Sequence, residues 1–174
     1  DSSNNSNISI FTIDGAIILP SEQSGTTTVG SGDIFLIAGG DNSSLSINAP
    51  VMTQAGDMML QAGTAVRQNI DLITQGGAVA VTSDNDSIIM AEGVCTEVNG
   101  DGGIIYRAEK DIHVSLLKTS AGIDLAAIQG SILDNTPDSE KANIMAVNAA
   151  LLAANNIGKD SKSDLDLAVD SVTA

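Results

Sequence analysis

Short runs in which apolar and polar residues alternate, closed on each side by Gly, Asn, Asp or Ser, recur along this chain. GDIFLIAGG at Gly32 to Gly40 returns as GDMMLQAG at Gly56 to Gly63, and more loosely as KDIHVSLLK at Lys110 to Lys118. Alternation over four to six positions between turn residues marks a β-strand with one buried side. The first inward residues of these runs are Ile34, Met58, Val79, Ile104, Ile123, Ile144 and Leu165, spaced 24, 21, 25, 19, 21 and 21 apart. A second series runs between them through Leu45, Ile70, Ile88, Ile112, Ile132 and Leu151, spaced 25, 18, 24, 20 and 19. Both series share one period of a little over twenty.

A period of that length, with two short strands and a variable loop per repeat, is what one coil of a parallel β-helix requires. An antiparallel sandwich also has short strands and frequent turns, but gives no reason for alternate strands to resemble one another. The expected fold is therefore all-β, a β-solenoid of roughly seven coils in which equivalent side chains stack at the strand spacing of about 4.8 Å. Residues 32–174 carry the repeats, and residues 1–31 form either an N-terminal cap or the first coil, with Ile10 placed below Ile34. The stretch 141–155, KANIMAVNAALLAAN, passes for a helix on its Ala and Leu content and for alternating coils on its pattern.

Composition sharpens this picture. The 174 residues suit one domain, yet aromatics make up 2% and Trp is absent while the apolar share is 43%. Thin layers of Ile, Leu, Val, Ala and Met match that mixture better than one globular centre. Acidic residues outnumber basic ones 22 to 7, giving a net charge of -15. Phosphate binding needs clustered Lys and Arg, so nucleic acid is excluded as the expected partner. All seven basic residues lie beyond residue 66. No run approaches the ~18 apolar residues of a membrane span, so no membrane insertion is expected. One cysteine, Cys95, rules out an internal disulfide framework. The opening DSSNNSNIS has neither initiator Met nor signal peptide, which points to a mature secreted form or a piece of something longer.

Coils of the type GDIxLxAG, followed by AGIDLAAIQGSILDN at Ala121 to Asn135 and LLAANNIGKDSKSDLDLAVDSVTA at Leu151 to Ala174, resemble the haemagglutinin-type repeats of large bacterial surface adhesins of the filamentous haemagglutinin family. The likeness covers most of the chain from about Gly32 onward. It implies a right-handed parallel β-helix, located outside the cell as part of a surface shaft.

Candidate chemistry is sparse. His113, the single histidine, lies in KDIHVSL and should point outward; catalysis through it would need a nucleophile or carboxylate from another coil. Cys95 falls in EGVCTEVNGDGG, read as a loop, where a thiol without a neighbouring base stays unreactive. Acidic turns place carboxylates at Asp84 and Asp86, at Asp101, and at Asp164 and Asp166. Plain turn chemistry explains them, and calcium, which takes six to eight oxygens, is the alternative. A polysaccharide lyase or hydrolase would need carboxylates on one side of adjacent coils, with Arg or aromatics to hold sugar. Only Arg67, Arg107, Phe11, Phe35 and Tyr106 are available for that.

One pattern points to a contact. The outward residues that follow the first-series positions include Phe35, Met59, Ala80 and Ile105, which would stack into an exposed apolar stripe unless a loop or the N-terminal segment covers it. The expected function is a non-catalytic, extracellular structural or adhesive module, with a head-to-tail filament subunit as alternative. Expected partners are further coils of a longer chain, other copies, or a host or cell-surface glycan or protein; no cofactor beyond calcium is expected.

Overall fold

Between the turn residues Asp33 and Gly39, the run IFLIA forms a five-residue strand in which Ile34, Leu36 and Ala38 are buried and Phe35 and Ile37 face outward. The structure, a computed structural model, describes residues 5–21, 25–136, 141–158 and 164–174. Within them the first coil runs through β1 (Ile8–Thr12), β2 (Ile17–Leu19) and β3 (Thr26–Thr27). The second follows through β4 (Ile34–Ala38), β5 (Leu45–Ile47) and β6 (Val51–Thr53), and the third through β7 (Met58–Ala62), β8 (Val66–Gln68) and β9 (Leu72–Thr74). The fourth is β10 (Val79–Ser83), β11 (Ile88–Met90) and β12 (Cys95–Val98); the fifth is β13 (Ile104–Ala108), β14 (Ile112–Val114) and β15 (Leu116–Thr119). β16 (Gly122–Ala127), β17 (Ile132–Asp134) and the start of β18 (Ile144–Ala153) complete the sixth, and β19 (Leu167–Thr173) pairs above β18.

Every pairing is parallel, and like strands stack on like. The molecule is a parallel β-helix of about six coils with three faces. The first face carries β1, β4, β7, β10, β13 and β16; the second carries β2, β5, β8, β11, β14 and β17; the third carries β3, β6, β9, β12 and β15. β18 crosses from the third face to the first without a break. Its start pairs with β15 and its later part with β16, so those two faces form one 13-stranded sheet.

Each coil thus has three strands where the alternation suggested two. The third ladder, Thr26, Val51, Leu72, Thr96, Leu117, Ile144 and Leu167, is half threonine at its lower end and so lacks the apolar signature of the others. The first ladder runs Ile8, Ile34, Met58, Val79, Ile104, Ile123 and Ala149. Ile144 therefore belongs to the third face, and Ile8, not Ile10, lies under Ile34. The second ladder has Val66 where Ile70 was expected, and Ile157 stands next to Ile132 where Leu151 was expected. Leu151 pairs with Leu125 on the first face. Leu165 precedes β19 instead of opening a strand. The 141–155 stretch contains a ten-residue strand and no helix.

Stacking at about 4.8 Å is tight enough to dictate the corners. Where the third face turns into the first, Gly32, Gly56, Gly77 and Gly102 lie one above another, and a Cβ on Gly56, Gly77 or Gly102 would run into the carbonyl oxygen of the glycine below. Threonines finish the same corner: Thr28 donates to the Gly32 carbonyl at 2.6 Å, Thr53 to Gly56 at 2.7 Å and Thr119 to Gly102 at 2.7 Å. Carboxylates and amides tie successive coils together. Asn7 Oδ1 accepts the Asp33 N–H at 2.8 Å, Asp33 Oδ1 accepts that of Asp57 at 2.9 Å, and Asp57 Oδ1 accepts that of Ala78 at 2.8 Å. In the GSILDN stretch, Asp134 Oδ1 closes its turn by accepting the Thr136 N–H at 2.7 Å and the Asn143 amide at 2.6 Å.

Candidate functional site

The inward pattern fixes what each strand presents to solvent, because neighbours of buried residues must point outward. On the first face Phe35 pairs with Met59, Met59 with Ala80, and Ala80 with Ile105. The four expected stripe residues are thus one vertical column. Met59 is 40% and Ile105 50% exposed, while Phe35 and Ala80 are half-buried. Among the described residues, the N-terminal segment does not lie over this column. It pairs edge to edge beneath it as β1, adding Phe11 at 71% exposure beside Ile37. Upward the column ends at Asp124.

Acid groups border this apolar strip. Asp33 and Asp57, two residues before Phe35 and Met59, stand immediately ahead of β4 and β7 on one side. Asp14, Asp41 and Asp84 occupy the turns on the other. Arg107, on β13, is the first basic residue on this face.

The remaining candidates are dispersed. Asp84 accepts the Gln61 amide at 2.9 Å, and Asp86 pairs with Lys110 at 3.2 Å. Asp101 lies exposed at the corner before β13, and Asp164 and Asp166 precede β19, where the Asp166 N–H is held by Asn143 Oδ1 at 2.9 Å. Among the described residues no three His, Cys, Asp or Glu side chains gather as a metal site. His113 sits outward on the second face between Ile89 and Leu133. Arg67 lies on that face too, two coils lower, while Arg107 is on the first. Tyr106 is fully buried and offers no ring to a sugar.

Cys95 opens strand β12 on the third face, so the loop expected there is a correction; its turn residues, Glu92 and Gly93, come just before. Burial, reinforced by Glu97 and Asp71, pushes the thiol up to about 11. Beside it lies a feature the sequence did not disclose, a groove of about 380 Å³ lined by Cys95, Leu116, Lys118, Lys141, Ala142 and Met145. Lys118 is engaged there by Glu97 at 2.6 Å. Leu116 and Met145 line one groove only because β18 joins the third face, and nothing in the two-strand period signals that.

No protein-family model, curated protein or solved structure matches this chain.

Proposed function

We propose that this chain is a non-catalytic structural or adhesive module: a β-helical rod belonging to a bacterial surface adhesin or fibre and working outside the cell. The observation that supports this reading best is the unbroken stacking of all three ladders. Nearly the whole chain is spent on repeating layers, and the outward faces remain as display surfaces. The haemagglutinin-type repeat pattern of GDIFLIAGG, GSILDN and NNIG supports the same reading. An antibody against the folded chain should label intact producing cells. Labelling only after the cells are permeabilised would overturn the surface assignment.

A second reading concerns continuation along the axis. Among the described residues, β1, β2 and β3 each pair on one side only, and Ile10, at an inward position next to Leu36, is 39% exposed. A further coil, from a longer chain or another copy, would cover that layer and satisfy the open strand edges. Electron microscopy of the chain at high concentration tests the self-assembling version: axial filaments support it, and dispersed short rods dispose of it.

A further inference from the structure

We infer that the first face is a docking track for a cationic amphipathic helix lying along the rod axis. The inference does not depend on where the rod resides. The floor of the track is the registered column Phe35, Met59, Ala80 and Ile105, and Ile37 widens it near the base. Its rungs repeat at about 4.8 Å, close to the 5.4 Å pitch of an α-helix. One apolar side chain per helical turn therefore meets one rung after another over the length of the column. A five-residue strand is about 16 Å long, which accommodates a helix about 10–12 Å across.

Charge selects the occupant. Asp33 and Asp57 line one side of the floor, Asp41 and Asp84 the other, and no basic residue stands on this face below Arg107. A second copy laid face to face would set carboxylates against carboxylates. A helix with Lys or Arg flanking its apolar stripe sets opposite charges along both sides. The ladder bonds of Asp33 and Asp57 use Oδ1 in each case.

The test uses the full chain and a fluorescent Leu/Lys amphipathic peptide of about 18 residues, about 27 Å long as a helix. Two controls accompany it: the same composition scrambled so that Leu surrounds the helix, and a Leu/Glu version. The amphipathic Leu/Lys peptide should bind at least tenfold more tightly than either control, and less tightly as salt rises. The pair Met59→Gln with Ile105→Gln should weaken binding at least tenfold. So should Asp33→Asn with Asp57→Asn, which keeps the ladder because Asn7 already plays that part. Neither pair should move the unfolding temperature by more than a few degrees. Equal binding of the scrambled peptide, no binding, or unchanged binding by the Gln pair overturns the inference. So does a native dimer that the Gln pair converts to monomer, since the occupant is then a second copy.

Discussion

The phenol of Tyr106 donates a 2.6 Å hydrogen bond to Oε1 of Gln68, a partner 38 residues away in the chain, inside a column filled mostly with aliphatic side chains. Thr96 Oγ1 stands 2.7 Å from the same phenol and accepts from Gln68 Nε2 at 3.0 Å. One residue from each face, drawn from three different coils, thus closes a satisfied polar network. Burial pushes the Tyr106 phenol above its ordinary value, so it stays protonated.

Removing that hydroxyl takes the 2.6 Å donor from Gln68 Oε1 and leaves it only the longer 3.3 Å bond from Thr96 Oγ1, where water does not reach. Tyr106→Phe should cost about 1–3 kcal/mol in urea unfolding. Gln68→Leu should cost a similar amount, and the double variant clearly less than the sum, because both changes break the same Tyr106–Gln68 bond. Strict additivity would mean that the network contributes nothing as a unit.

Adjacent residues on β7 test the inward and outward assignment directly. Leu60 is fully buried between Leu36 and Val81, whereas Met59 is 40% exposed on the track. Leu60→Ala should lose about 2–5 kcal/mol through transfer and cavity terms. Met59→Ala should stay within about 1 kcal/mol. Equal losses at the two positions would contradict the register of the first face.

The contrast between those neighbours is also what made the fold legible. Ile34, Met58, Val79, Ile104 and Ile123 repeat with clear alternation between turn residues, and they occupy one ladder in the structure. The apolar stripe was legible for the same reason, since parity along a strand fixes what points out. The third face was hidden because inward Thr28, Thr53, Thr74 and Thr119 look like turn residues. Their hydroxyls are buried only because the corner carbonyls and N–H groups beside them need partners. Ile70 was preferred to Val66 because the inward position beside Val66 is Gln68, a polar residue whose partner lies 38 positions on. β18 misled the count since its passage between faces, through Ala146 and Val147, carries no Gly, Asn or Asp before Asn148.

Two glycines separate the demands of stacking from those of backbone conformation. Gly77 sits in the corner column, where a Cβ would meet the Gly56 carbonyl, and its φ is not in the left-handed region. Gly93 has φ +76 and nothing within 4 Å of a built Cβ. Gly77→Ala should lose at least about 1–3 kcal/mol by overpacking against backbone, and Gly77→Asn should be no better. Gly93→Ala should lose about 1–2 kcal/mol through strain, and Gly93→Asn should recover most of it because Asn tolerates that conformation. Thermal unfolding of the four variants gives the comparison. A Gly77→Asn variant as stable as the parent would show that the coils do not pack as closely as the corner requires.

Cys95 carries a pH dependence whose sign follows from its surroundings. Its thiol holds its proton up to about 11 in the folded chain, against 9.0 for an unperturbed thiol, because burial and the nearby Glu97 and Asp71 disfavour the thiolate. Below pH 9 both states keep the proton, so the thiol adds no slope to stability. Between 9 and 11 the unfolded chain releases it while the folded chain retains it, and the stabilisation this group contributes is lost progressively as pH rises through that window. Cys95→Ala should remove that component of the alkaline decline while leaving the rest. The same shift leaves about a hundredfold less thiolate than in a free cysteine at neutral pH, so iodoacetamide should label the folded chain correspondingly slowly and at a rate that climbs towards pH 11. Labelling at the free-cysteine rate at pH 7 would mean that Leu116 and the strand around Cys95 do not enclose the sulfur as the third face places them.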